Sequence, residues 1–166
     1  MAVGALHSAV RKTAAFTLIE IVISVFILML LIMLAVPSIT GVLSDRRLRQ
    51  SLDRFNQFVH QAQELSLRQH RPYLLVWNSK NIELRPEGLR KGDDPAPAAQ
   101  LEVKKGESFS LNLPAALAKD SPAEWVFWPT GTCEPAEVKF VGRDGTWTAS
   151  YSALTARAQI VAYVAR

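Results

Sequence analysis

The sequence predicts an α+β chain: one long N-terminal helix, apolar in its first part and amphipathic in its second, followed by a domain of antiparallel strands. Three observations carry that prediction. Residues 16–36 form an almost unbroken apolar run. Residues 48–65 repeat apolar side chains at helical spacing. Beyond Pro72 the sequence breaks into short strand-like runs separated by Gly, Pro, Asn and Asp. A helix first and strands after is the order of an α+β fold, not of an alternating α/β one.

Composition agrees with one folded domain plus an additional segment. The chain has 166 residues, 49% of them apolar and 20% charged, which excludes a disordered or collagen-like polymer. A single cysteine, Cys133, excludes an internal disulfide framework and a cysteine-rich zinc site. The net charge of +4 is unevenly distributed. Residues 44–71 hold six arginines against three carboxylates, whereas residues 72–166 hold eleven basic and eleven acidic side chains. Bulk charge therefore gives no polyanion-binding domain.

The apolar run comes first. Phe16–Val36 reads FTLIEIVISVFILMLLIMLAV, with Thr17, Glu20 and Ser24 as its only polar members. As a helix it would be roughly 31 Å long, about the thickness of a bilayer's hydrocarbon core. A secretory signal peptide has a shorter apolar centre and a small-residue cleavage site behind it. This run reads as a retained single-pass anchor. Glu20 stands out within it, because an ionisable group costs roughly 2.5–3.5 kcal/mol near the centre of a span and less toward an end. Either it lies at headgroup level and reaches water, or it awaits a positive partner. A free amine created at residue 16 would be one.

Ala15-Phe16-Thr17-Leu18-Ile19-Glu20, preceded by Arg11-Lys12 and followed by the long apolar run, resembles the class III signal of type IV pilins and type II secretion pseudopilins. The resemblance implies cleavage between Ala15 and Phe16 by a prepilin peptidase, N-methylation of Phe16, and a role for Glu20 in registering each subunit against its neighbour. The family usually has Gly before the cut, where this chain has Ala15. Pro37 falls where pilins commonly carry a helix-breaking proline, and any proline at the end of a span removes a backbone donor. With Gly41 close behind, a locally melted stretch is expected between them. The count of positive charges disagrees with the orientation the family needs. Arg46, Arg47, Arg49 and Arg54 outnumber Arg11 and Lys12. The class III signal nevertheless puts the leader in the cytoplasm and the domain in the periplasm.

From Leu48 the apolar positions Leu48, Leu52, Phe55, Val59 and Ala62 mark one face of an amphipathic helix, with Phe58 and Leu65 beside them. Arg47, Arg49, Arg54, Gln57, Gln61 and Arg68 populate the other faces. Arg71-Pro72 is the stop. The expected organisation is a leader at 1–15, a transmembrane assembly helix at 16–43, its amphipathic half at 44–71 and a β-rich domain at 72–166. A long helix half in the membrane and half on a domain is the pilin "lollipop".

Strands are expected at Tyr73–Trp77, Ile82–Leu84, Leu101–Lys104, Phe109–Leu113, Glu124–Trp128, Val138–Val141, Thr146–Tyr151 and Gln159–Val164. Residues 78–81 make a hairpin turn of the first two, 86–99 an irregular loop, 114–122 a connection and 142–145 a tight turn. Phe127-Trp128-Pro129-Thr130-Gly131, then Ala136–Phe140 and Thr155-Ala156-Arg157, resemble the GspH/FimT group of minor pilins and pseudopilins. That group has an F-x-P-x-G segment and a later Gly-Arg pair. The first matches here; the second does not, since residue 156 is Ala.

No catalytic set is found. His7 lies in the leader, and His60 and His70 sit about 80° apart around a helix and nearly three turns from each other, off a shared face. Cys133 follows Gly131-Thr132 in a loop, where it could be exposed, but it has no matched histidine. Asp93-Asp94 could offer oxygens to calcium, which needs six or more, but a solvated loop is the expected reading, and no phosphate-binding Gly-rich loop is present. Trp125, Trp128, Trp147, Tyr151 and Tyr163 are expected in the core, with Trp128 a contact candidate if exposed. The chain is thus expected to be a non-enzymatic minor pseudopilin of a type II secretion system, with no cofactor and no metal. Its expected partners are the prepilin peptidase, other pilin or pseudopilin subunits and the inner-membrane assembly platform. The alternative is a FimT-like minor pilin of a type IV pilus that captures DNA, which would need Lys139, Arg143, Arg157 and Arg166 on one surface.

Overall fold

The computed structural model describes residues 17–114 and 123–166, without the side chains of residues 34–40. Helix α1 (Leu18–Gln69) precedes β1 (Tyr73–Trp77), β2 (Asn81–Pro86), β3 (Ala99–Glu102), β4 (Ser108–Asn112), β5 (Glu124–Phe127), β6 (Ala136–Gly142), β7 (Gly145–Tyr151) and β8 (Ala158–Ala165). The chain divides into two compact units, Met1–Ile39 and Thr40–Arg166.

In the first unit Thr17 starts the helix. Its hydroxyl accepts the Glu20 backbone N–H at 3.3 Å, and its carbonyl accepts the same donor at 3.1 Å. That is the N-cap half of a Thr-x-x-Glu capping box. Every side chain from Thr17 to Met33 is exposed, Leu18 by 83% and Met33 by 77%. The Ser24 hydroxyl donates to the Glu20 carbonyl at 2.7 Å, so it finds a partner within the helix. Among the described residues no helix is long and apolar enough to cross a membrane. The α1 assignment includes Pro37 and Gly41, so the melted stretch expected there is not found. A proline removes only its own donor, and the hydrogen bonds on either side can persist.

In the second unit the expected stripe is the buried face of α1. Leu48, Leu52, Phe55, Phe58, Val59 and Ala62 are all buried, while Arg47, Arg49, Gln57, Gln61 and Arg68 are exposed. The helix ends on a Schellman motif. His70 takes a φ of 49°, the Arg71 N–H reaches the Ser66 carbonyl at 3.4 Å, and Pro72 prevents continuation.

All eight expected strands form, and every pairing is antiparallel. They make two four-stranded sheets, β3-β2-β1-β5 and β4-β6-β7-β8. Strand β7 alternates strictly, with Trp147, Ala149 and Tyr151 buried and Thr146, Thr148 and Ser150 half-buried on the other side. Central strand β1 is buried from Tyr73 to Val76, on both faces. One core joins α1 to both sheets. Phe55 is its hub, stacked on Phe109 at 5.3 Å and inclined to Trp147 and Tyr151 at 5.8 and 5.9 Å.

Candidate functional site

The N-terminal segment carries the expected processing and assembly residues. Ala15 and Phe16 lie outside the described residues. Glu20 is exposed in the first turn of α1, where a carboxylate complements the positive end of the helix dipole. Only its backbone N–H takes part in the Thr17 cap, leaving the carboxylate available to another group. Pro37 sits inside α1.

Three polar tips hold the amphipathic part of α1 to the second sheet. The Tyr163 hydroxyl donates to Asp45 Oδ1 at 2.8 Å, Trp147 Nε1 donates to Ser51 Oγ at 2.8 Å, and the Tyr151 hydroxyl donates to Asn56 Oδ1 at 2.7 Å. The Tyr163 bond and the Arg49 guanidinium, bonded to Asp45 at 2.9 Å, hold the Asp45 carboxyl below its ordinary range. Partial burial and the Asp45 bond push the Tyr163 phenol up to about 12. It therefore remains a donor throughout the neutral range. Sequence periodicity showed the stripe but not these pins, because a polar residue beside a stripe has no distinctive spacing.

The F-x-P-x-G segment has a structural explanation. Phe127 is fully buried, and Trp128–Gly131 forms a β-turn in which the Gly131 N–H donates to the Trp128 carbonyl at 2.9 Å. Pro129 occupies the second position, which its fixed φ favours. Gly131 takes a φ of 82°, and a Cβ there would come within 3.1 Å of Leu67 on α1. Gln63 Nε2 donates to the Gly131 carbonyl at 2.6 Å. The motif thus fastens the chain after β5 onto the end of the helix. Trp125, Trp147 and Tyr151 are core residues, whereas Trp128 is 38% exposed on that turn.

The four candidate DNA contacts are not brought together. Lys139 is exposed in mid-β6, Arg143 is at the tip of the β6–β7 turn, and the Arg166 N–H donates to the Asp144 carbonyl beside that turn. Arg157 precedes the opposite end of β8, roughly 30 Å of strand from Arg166.

Other candidates for chemistry are occupied internally. Cys133, expected in a loop where it could be exposed, is instead buried, paired by an isolated bridge to Phe127, and its thiol lies near Ser152 O at 3.5 Å. Burial pushes that thiol to about 11, away from nucleophilic use at neutral pH. Asp93 accepts the Arg90 N–H at 2.7 Å and pairs with Arg71, while Asp94 accepts the Ala96 N–H at 2.9 Å. Those carboxylates brace the 86–99 loop. Among the described residues no group of three or more His, Cys, Asp or Glu side chains is placed to hold a metal.

No protein-family model and no curated protein matches the chain. Solved structures do. The minor pseudopilin EpsH of the Vibrio cholerae type II secretion system superposes with a TM-score of 0.51 at 12% identity, covering 74% of this chain and 98% of that one. The type IV minor pilin FimU of Pseudomonas aeruginosa PAO1 superposes with a TM-score of 0.50 at 15% identity, covering 70% and 90%. At these identities the likeness establishes the fold: the chain is pilin-like, an N-terminal helix with antiparallel sheets.

Proposed function

We propose that the chain is a minor pseudopilin of a type II secretion system: a non-enzymatic subunit processed at Ala15–Phe16 and assembled through its apolar helix. The observation that carries this reading is the all-round exposure of Leu18–Met33 in a chain with a pilin-like fold. A helix apolar on every side needs lipid or other apolar helices around it. The 21-residue run of the sequence supports a single-pass inner-membrane location before assembly, with the leader cytoplasmic and the domain periplasmic. The prepilin peptidase, neighbouring subunits and the inner-membrane assembly platform are the partners this requires. Burial among neighbours replaces lipid contacts, and an N-terminal amine at Phe16 neutralises Glu20.

The GspH/FimT resemblance is common to secretion and pilus subunits; preference for secretion rests on the charge-neutral sheet domain and on Ala156 in place of the Gly of a Gly-Arg pair. The FimU likeness supports a type IV pilus minor subunit about equally well. The DNA-capture version of that alternative loses its premise with the dispersal of Arg157 from Arg143 and Arg166.

Intact mass and N-terminal sequence, with and without a prepilin peptidase, test the processing step. The expected product starts at Phe16 and carries one methyl group; an uncut chain would remove the main support for assembly. Glu20→Ala is expected to leave membrane insertion intact and to reduce incorporation into filaments. Since the Thr17 cap uses only the residue-20 backbone, that loss would report on the carboxylate. Unchanged incorporation would sink the proposed role of Glu20.

A further inference from the structure

A cleft of about 470 Å³ opens in the second unit between α1, the β3–β4 turn and the β6–β7 turn. Five cations from three elements line it: Arg47 and Arg54 from α1, Lys104 and Lys105 from one turn, and Arg143 from the other. Only Glu107 and Asp144 oppose them, and both are engaged. Glu107 accepts Arg54 at 3.2 Å and the Lys104 N–H at 3.4 Å, and Asp144 lies 3.5 Å from Arg47. Among the described residues the side chains of Lys104, Lys105 and Arg143 have no carboxylate partner. Arg54 Nε is buried without any acceptor.

The turns hold these cations in place. Lys104–Glu107 is closed by a 2.9 Å bond from the Glu107 N–H to the Lys104 carbonyl, with Gly106 at a φ of 88°, the geometry of a type II turn. The β6–β7 hairpin closes on Gly142 and Gly145, and a Cβ at Gly145 would come within 2.1 Å of the Val164 carbonyl. The positive excess joins two arginines of the basic helix to three cations that the turns bring beside them.

We propose that this cleft binds a phosphate-bearing anion. Cations converging from three directions suit a tetrahedral group with several oxygens better than a planar carboxylate, which offers two. The space beyond a single phosphate fits one carried on a larger polar group. The same chemistry is offered by an anionic lipid headgroup and by a soluble phosphate. The inference is independent of processing and assembly.

The test uses the full chain in neutral detergent, titrated with inorganic phosphate at low ionic strength, where screening is weakest. Saturable shifts of the Gly106 and Gly142 amide resonances are expected, and chloride at equal ionic strength should not reproduce them. Lys105→Glu with Arg143→Glu should weaken binding on the order of tenfold. Lys139→Glu, exposed outside the cleft, should leave it unchanged. Lys105→Glu alone serves if the double variant loses its near-ultraviolet circular dichroism. Repeating the titration in phosphatidylcholine nanodiscs with and without phosphatidylglycerol separates the sources: competition identifies the headgroup, and undiminished binding identifies soluble phosphate. Shifts spread over all basic residues, no saturation, or equal loss in Lys139→Glu would overturn the proposal. The readout needs no filament, so either proposal can fail without the other.

Discussion

Residues 18–33 and 48–65 belong to one helix yet meet opposite demands. The first stretch exposes every described side chain, whereas the second buries Leu48, Phe55, Val59 and Ala62 to 2% exposure or less. Both are apolar enough to need cover. The second finds it within its own chain, because polar residues on its other faces leave a single stripe for the sheets. The first has only Glu20 and Ser24 as polar members and is apolar on every side beyond them, so no one-sided partner can cover it. Sequence period, more than apolar content, decides whether a helix is completed by its own domain or by its surroundings.

Substitutions in the two stretches should separate them clearly. The largest effect is expected for Phe55→Ala, which empties the hub of the aromatic core and should cost the domain about 3–5 kcal/mol. Leu28→Ala, at a side chain 58% exposed, should leave the urea midpoint of the domain unchanged. A comparable loss from Leu28→Ala would mean that the domain shelters the apolar stretch after all.

Ser51→Ala comes next. It leaves the buried Trp147 Nε1 without its acceptor, for a loss of about 1–3 kcal/mol by chemical denaturation. A neutral result would show that the pin adds nothing to the stripe.

The smallest effect belongs to Tyr163→Phe, and its signature is a pH profile. Asp45 has a lowered folded pKa, so its stabilisation is complete above the ordinary value of 3.8 and fades as pH falls through the lowered one. Tyr163 has a raised pKa, so its share is complete below 10 and is lost as pH rises through about 12. Stability measured from acid to alkali should show both shoulders in the parent chain. In the Phe variant the alkaline shoulder should shrink to what the buried Cys133 thiol and Tyr151 phenol contribute, and the acid one should shrink as well.

Much of this fold was legible because periodicity reports burial directly. The stripe on α1 and all eight strands followed from it, with ends displaced by two residues at most. The capping signal was also present in Thr17-Leu18-Ile19-Glu20, where the charge of Glu20 inside an apolar run is more conspicuous than its backbone role. The end of α1 was marked by Pro72, whereas its left-handed residue, His70, was hidden because such positions usually carry Gly. Pro37 and Gly41 suggested a break that the helix does not make. The burial of Cys133 was hidden because its lone bridge to Phe127 gives the cysteine side no strand pattern of its own. The basic cleft was unreadable for a different reason: its cations are spread over nearly a hundred residues, and only the turns collect them.

The seclusion of Cys133 has a practical consequence. It is the single cysteine of the chain, it is 1% exposed, and its thiol resists ionisation. The native sequence therefore already behaves as a blank background for thiol-directed reagents. A cysteine introduced at Glu20, Trp128 or Arg143 could take a spin label, a fluorophore or a cross-linker without first removing Cys133, so subunit neighbours could be mapped on an otherwise unaltered protein.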